Sequence, residues 1–187
     1  MYGTDVNSLD RAIQRLRFRQ AAAHIPVGAR VLDVGSDDGA LFSYLASRIA
    51  PSVGVDPNAP TASLAGGHQL VTGFVDDLPD DLAGFDCCTV LAVLEHLHDE
   101  ELAALGRSLA DRTDAGGALI ATVPSPMVDP ILDVLMRFRL LDGMEVDQHH
   151  GAVVAHIPEV LGQSGWKLRL EKRFELGLNN LLVFDRA

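Results

Sequence analysis

Two apolar segments in the first third of the chain each carry an acidic residue. Asp33 lies within residues 31–34, and Asp56 directly follows residues 52–55, with Pro57 after it. Short apolar runs rich in Val and Leu are typical of strands that are buried on both faces of a parallel sheet. A carboxylate at the end of the second strand of an open α/β sheet can accept hydrogen bonds from both hydroxyls of a ribose. The spacing therefore predicts that Asp56 binds a nucleoside.

The turn after the first apolar segment is built from small and acidic residues: Gly35, Ser36, Asp37, Asp38 and Gly39. The two glycines allow the backbone to turn sharply and a ligand to approach it closely. Either aspartate can cap the helix that is predicted to begin near Gly39 and to include the apolar residues 41, 42, 45 and 49. The pattern predicts a strand, a ligand-binding turn and a helix.

Apolar spacing predicts alternating helices and strands along the rest of the chain. We expect an N-terminal helix from Asn7 or Ser8 to about Ala23, and a short helix starting at Asn58 or Thr61. The apolar side of the N-terminal helix is predicted to carry Leu9, Ile13, Leu16 and Ala23. Further strands are predicted at 69–74, from Phe85 onward, and at 118–123, 166–174 and 178–185, with helices at 101–112, 128–141 and 158–164.

Composition restricts the class of partner. The 187 residues carry a formal net charge of -11, which disfavours binding to a nucleic-acid backbone or, through a basic face, to a membrane. No apolar run is long enough to cross a bilayer, and no secretory signal is visible. Cys87 and Cys88 are adjacent in a predicted strand, so their side chains point to opposite faces and a disulfide between them is disfavoured. Buried thiols of this kind indicate a reducing, cytoplasmic location.

The strand, the acidic-x-Gly turn and the acid after the second strand resemble the class I S-adenosylmethionine (SAM) dependent methyltransferases. The dinucleotide fingerprint G-x-G-x-x-G is not met, because Asp37 takes the second glycine position and Ala40 follows Gly39. Negative charge in this turn suits a sulfonium and an ammonium better than a pyrophosphate. The resemblance implies a Rossmann-like, doubly wound α/β fold, with a mainly parallel seven-stranded sheet and an antiparallel C-terminal edge pair.

The resemblance also implies a set of cofactor contacts. Asp33, Gly35, Ser36, Asp37 and Gly39 would surround the amino-acid end of SAM, and backbone near Leu91 would hold its amino group. Asp56 and Pro57 would lie at the ribose. Either Asp76 or Asp77 would contact the adenine, in a loop where the family more often has Asp at the position of Phe74.

Leu94-Glu95-His96 resembles the branch that contains ubiquinone-pathway O-methyltransferases and small-RNA 2′-O-methyltransferases. That branch carries Glu-x-x-Glu-His, and here Ala92 replaces the first Glu. Glu95, His96 and His150 could hold Mg or Mn if water or substrate completes the coordination shell.

Methyl transfer to an alcohol also requires a base. His149 and His150, in a polar loop at 144–156, and His96 are the candidates.

We therefore expect one domain over residues 1–187, with a lid helix at 1–25 and a substrate-covering insertion at 124–157. The expected enzyme is a transferase that methylates a hydroxyl of a small molecule or saccharide. The expected partners are that acceptor and, as an open alternative, a second copy of the chain in a homodimer. The alternatives are an N- or C-methyltransferase, a nucleotide-dependent oxidoreductase, and a SAM-binding protein without turnover.

Overall fold

One sheet of eight strands organises the part of the chain that the computed structural model describes, which is residues 4–125 and 154–187, with side chains from residue 11 onward. The strand order is β3-β4-β2-β1-β5-β6-β8-β7. The strands are β1 Val31–Val34, β2 Val53–Asp56, β3 Ala62–Ser63, β4 Gln69–Thr72, β5 Phe85–Leu91, β6 Thr113–Pro124, β7 Trp166–Phe174 and β8 Asn179–Arg186. The helices are α1 Thr4–Ala22, α2 Ala40–Leu45, α3 Asp99–Arg112 and α4 Ile157–Gly162.

The central strands are parallel and the two edges are antiparallel. Strands β4, β2, β1, β5 and β6 run in one direction, whereas β8 is antiparallel to both β6 and β7. The predicted α/β fold, with an antiparallel C-terminal pair, is confirmed. The order reverses at β1, since the chain winds outward to β2 and β4 and then returns to β5. Such a switch point opens a crevice at the carboxyl ends of the strands.

The sheet is covered on both faces. Helices α1 and α2 pack on one face, which we call the α1 face, around Phe18, Phe42, Val31, Ile120 and Leu181. Helices α3 and α4 cover the opposite face, which we call the α3 face, around Leu102, Leu109, Ile157, Leu119 and Phe184. Side chains alternate between faces along each strand, so the register determines which residues share a face. Cys87 lies on the α1 face and Cys88 on the α3 face, both as buried free thiols, as their adjacency predicted.

The connection between β2 and β4 differs from the prediction. No helix begins at Asn58 or Thr61; instead β3 pairs antiparallel with β4, Ala62 opposite Leu70. Gly66 and Gly67 both have positive φ, 81° and 80°, and they close the turn between the two strands. The glycine pair favours a hairpin, and this hairpin adds an eighth strand to the seven that the resemblance implied.

The N-terminal helix also buries a different side from the predicted one. Leu16 is 40% exposed, whereas Phe18, Ala21 and Ala22 of the helix are buried, as is Ile25 just beyond its end. These four residues also follow the i, i+3, i+4, i+7 spacing, so the sequence offered two apolar sides for one helix. The predicted helix after Gly39 is shorter than expected, since it ends at Leu45 and Ala46 takes a positive φ of 47°.

Candidate active site

The turn after β1 is held against the end of β2. The amide of Gly35 donates to the Val55 carbonyl at 2.9 Å, and the amide of Asp37 donates to Asp56 Oδ2 at 3.2 Å. A side chain at Gly35, whose φ is 75°, would place its Cβ 2.4 Å from Val93 Cγ2. The turn is therefore closed around a glycine that no other residue can replace without movement of Val93.

Asp37 takes the left-handed conformation, with a φ of 45°. Aspartate tolerates this region better than most residues, which explains how it occupies the position where the dinucleotide fingerprint has its second glycine. Gly39 also has a positive φ of 75°, and a Cβ there would lie 2.5 Å from Leu64 Cδ1. Asp38, not Asp37, accepts from the amide of Ala40 at 2.9 Å and supports the start of α2.

Asp56 is oriented by two backbone amides. Besides the Asp37 amide on Oδ2, its Oδ1 accepts from the amide of Asn58 at 2.7 Å. The carboxylate is half-buried, and Pro57 beside it is exposed. The two amides fix the carboxylate at the crevice, and each of its oxygens has a second lone pair that can accept from a hydroxyl.

Asp33 is buried beside this turn, and its side chain lies on the α1 face of the sheet. Its Oδ1 accepts from the Thr89 hydroxyl at 2.5 Å. Burial, with a smaller contribution from the nearby Asp56 charge, raises its pKa from 3.8 to about 7, against the lowering effect of the Thr89 hydrogen bond. Asp33 is therefore a carboxyl group whose charge changes near neutral pH.

A small cavity of about 80 Å³ connects these residues to α1. Gln14, Arg17 and Phe18 of α1 lie on one side of it. Residues of the predicted cofactor site lie on the other side: Asp33, Gly35, Ser36, Asp37 and Leu91. Arg17 Nε and Ser36 Oγ are buried and have no hydrogen-bond partner among the described residues. A cation on one wall and a buried carboxyl group on the other suit a zwitterionic ligand.

The loop after β4 is fastened to α3. Asp77 Oδ2 accepts from the Phe74 amide at 2.8 Å, and Asp76 Oδ1 accepts from the Ser108 hydroxyl at 2.5 Å. The buried Arg112 donates to the carbonyls of Leu78, Pro79 and Leu82. Both candidate adenine-binding carboxylates therefore have partners within the protein, and the Phe74 ring, 66% exposed, lies beside them.

The segment after β5 contains part of the predicted metal set. Ala92 has a positive φ of 58°, Glu95 is buried and His96 is exposed. Within residues 4–125 and 154–187, no group of three or more His, Cys, Asp or Glu side chains could hold a metal ion. His149 and His150 lie outside the described residues. Their roles as candidate bases, and that of His150 as the third metal ligand, therefore stay predictions.

Three polar residues of the site were not predicted: Thr89, Ser108 and Arg112. Thr89 is separated by 56 residues from its partner Asp33, and Ser108 by 32 residues from Asp76. Arg17 belongs to a basic stretch with Arg11, Arg15 and Arg19. No local signal distinguishes Arg17 within that stretch.

The fold is that of the class I SAM-dependent methyltransferases. A family model described as a methyltransferase domain matches residues 6–169. This match covers most of the chain, and the chain therefore belongs to that family.

One curated relative is the ubiquinone biosynthesis O-methyltransferase of Xanthomonas axonopodis pv. citri (strain 306), to which the chain is 33% identical over 118 residues. The alignment covers 58% of this chain and 48% of the relative. The chain thus spans about half the length of that relative.

Solved methyltransferase structures share the fold, among them the following two. The 1,6-didemethyltoxoflavin-N1-methyltransferase of Burkholderia thailandensis, with 1,6-didemethyltoxoflavin and S-adenosylhomocysteine bound, matches with a TM-score of 0.72 at 18% identity, over 99% of this chain and 82% of that chain. A chain of the complex between the Haloferax volcanii Trm112 methyltransferase activator and a methyltransferase matches with a TM-score of 0.70 at 14% identity, over 97% of this chain and 95% of that chain. At these identities the matches concern the fold alone.

Proposed function

We propose that this methyltransferase transfers the methyl group of SAM to a hydroxyl of a small molecule. The observation that carries the proposal is the cavity between α1 and the turn after β1, where Arg17 faces Asp33, Gly35 and Ser36. The O-methyl assignment is supported by the name of the curated relative and by the Leu94-Glu95-His96 signature.

In the proposed complex, Asp56 accepts hydrogen bonds from the ribose hydroxyls. The amino-acid end of SAM then extends toward β1 and β5, with its ammonium near Asp33 and its carboxylate near Arg17. The adenine extends the other way, toward β4, because β4 is the next strand beyond β2 in the sheet. There it would lie against Phe74, with Asp76 or Asp77 at its edge. We further propose that α1, within residues 1–25, acts as a lid over this end of the cofactor.

The net charge of -11 supports a small acceptor over a nucleic acid. None of the helices among the described residues has the length and hydropathy that a bilayer span requires.

Asp56→Ala should weaken the binding of SAM and of S-adenosylhomocysteine at least tenfold, since each hydrogen bond to a charged group contributes roughly 1.5–3 kcal/mol. Calorimetric titration measures the loss. Asp80→Ala is the matched control, because Asp80 is an exposed aspartate outside the residues that line the cavity. Equal affinities of wild type and Asp56→Ala would contradict the ribose assignment.

Methyl release from labelled SAM, measured with hydroxylated and with amine-bearing acceptors, tests the proposed reaction itself. Preference for amines would replace the O-methyl assignment with an N-methyl one. No release with any acceptor, together with tight cofactor binding, would favour the SAM-binding protein without turnover.

Replacing both His149 and His150 with Ala tests the proposed base. General-base assistance typically contributes about 10²–10⁴-fold, so the turnover rate should fall by that order while cofactor affinity is kept. EDTA should leave the wild-type rate unchanged if a histidine alone is the base, and should abolish it if Mg or Mn assists. A double variant with full activity would exclude this pair of histidines.

A further inference from the structure

We propose that Thr122, Glu175 and Asn179 form the subsite that recognises the methyl acceptor, through groups of the acceptor that donate hydrogen bonds. This inference rests on the proposed function and names the chemistry that the acceptor must present. Its starting point is a set of buried polar atoms. Thr122 Oγ1, Glu175 Oε1 and Asn179 Oδ1 are buried, and none has a hydrogen-bond partner among the described residues.

Unsatisfied polar atoms are costly in a folded protein, and a ligand is one explanation for them. Thr122 is fully buried and Asn179 is 3% exposed, so bulk water does not satisfy either side chain. Three buried polar atoms without hydrogen bonds destabilise the fold more than a single one does. These are the atoms that the proposed acceptor would satisfy.

The register places these residues next to the cofactor cavity. Leu91, which lines that cavity, is the neighbour of Thr122 across β5 and β6. Thr122 in turn pairs with Leu181, and Asn179 pairs with Pro124 two positions further along the same ladder. Because side chains alternate along a strand, Thr122, Leu181 and Asn179 all point to the α1 face.

The turn between β7 and β8 brings Glu175 to the same place. Asn179 Nδ2 donates to Glu175 Oε2, which ties the carboxylate to the start of β8. Two successive residues, Glu175 and Leu176, take left-handed φ values of 52° and 56°. The amide of Ser125 donates to the Leu178 carbonyl at 2.7 Å and anchors this turn to the end of β6.

Left-handed backbone in two consecutive residues with side chains is unfavourable, and such strain concentrates at functional sites. Here it leaves Leu176 fully exposed while Glu175 folds back onto Asn179. The turn thus keeps a carboxylate half-buried at the carboxyl edge of the sheet, where it would otherwise extend into solvent.

The free atoms specify the chemistry of the partner. The amide nitrogen of Asn179 donates one of its two hydrogens to Glu175. The amide oxygen of Asn179 and the second oxygen of Glu175 can only accept hydrogen bonds. The Thr122 hydroxyl can accept or donate. A neutral acceptor with a hydroxyl group, or an amine, satisfies these atoms, whereas a carboxylate or phosphate would be repelled by Glu175.

The first test is thermal stability. Thr122→Val replaces an unsatisfied hydroxyl with a methyl group of similar size, so the melting temperature should rise by roughly 1–4 °C. Thr113→Val is the matched control on the same strand, because the Thr113 hydroxyl donates to the Leu109 carbonyl at 2.7 Å, and this variant should melt lower. A drop for Thr122→Val as large as that of the control would overturn the proposal.

The second test is binding to the protein saturated with S-adenosylhomocysteine, followed by ligand-observed NMR. Catechol has two hydroxyl groups that can donate hydrogen bonds, whereas 1,2-dimethoxybenzene has the same ring and no donor. Catechol should therefore bind about tenfold more tightly. Glu175→Gln and Thr122→Val should remove most of that preference and should change S-adenosylhomocysteine affinity less than twofold. Equal binding of the two compounds to wild type, or an unchanged preference in both variants, would overturn the subsite. Wild type that fails to bind S-adenosylhomocysteine would instead contradict the proposed function, and the two compounds would then be compared on the unloaded protein.

Discussion

Asp33→Asn should lower the affinity for S-adenosylhomocysteine more than a hundredfold. Removal of one partner from a buried charged pair costs roughly 3–5 kcal/mol, because the other charge is left uncompensated. Here the partner would be the ammonium of the ligand. The substitution keeps the size of the side chain and an oxygen that can accept from Thr89, so the loss should reflect charge rather than packing.

The same residue predicts a proton release on binding. With a pKa of about 7, Asp33 is mostly protonated in the free protein at pH 6, and the ammonium of the ligand favours its ionised form. Calorimetry in two buffers of different ionisation enthalpy should therefore show close to one proton released at pH 6 and progressively fewer above pH 7. Asp33→Asn should show none. Equal proton release by wild type and variant would rule out Asp33 as the titrating group.

The stability of the free protein should change with pH in a defined direction. The pKa of Asp33 is about 7 in the folded chain and 3.8 in the reference state, so the folded state binds more protons between these values. Its contribution to stability is therefore lost as pH rises toward and through 7. The melting temperature of Asp33→Asn should match that of wild type near pH 4 and exceed it at pH 8.

Arg17→Ala should lower S-adenosylhomocysteine affinity about 10–100-fold, since a charge-assisted hydrogen bond to the ligand carboxylate contributes roughly 1.5–3 kcal/mol. Arg17 Nε is buried and has no partner among the described residues, although the side chain lines the cavity. The guanidinium is therefore positioned for a ligand that presents an anion.

Arg19→Ala is the matched control. Arg19 lies on the same helix, is exposed, and loses the same charge on substitution. Calorimetric titration should show Arg19→Ala within about twofold of wild type. Equal losses in the two variants would mean that the effect arises from the net charge of the helix, and the assignment of Arg17 to the carboxylate would fail.

The sequence predicts the parts of the site that depend on neighbouring residues. Asp33, Gly35 and Asp56 follow from a strand, a turn and a second strand, and the two strands end together because β1 pairs with β2 in parallel, Val34 opposite Val55. The acid at the end of a parallel strand and the glycine in the turn are constraints of backbone geometry. Such constraints are visible in a single stretch of residues.

The remaining parts depend on contacts between distant segments. Thr122 and Asn179 share a face only because β6 and β8 pair in one register. A slip of one residue in that pairing would move Asn179 to the opposite face of the sheet. Arg17 faces the cavity because α1 docks through Phe18 and Ala21, and not through the side that includes Leu16. The missed hairpin at β3 is different in kind, since Gly66 and Gly67 were a local signal for it.

In the proposed complex, the hydrogen bonds from Arg112 to the carbonyls of Leu78, Pro79 and Leu82 hold in place the loop against which the adenine would lie. A loop that is ordered before its ligand arrives loses little conformational entropy on binding, so more of the interaction free energy appears as affinity. Association also needs no slow rearrangement of this loop. Arg112 lies at the end of α3, on the far face of the sheet from Arg17. A residue that never touches the cofactor can therefore influence both its affinity and its rate of association.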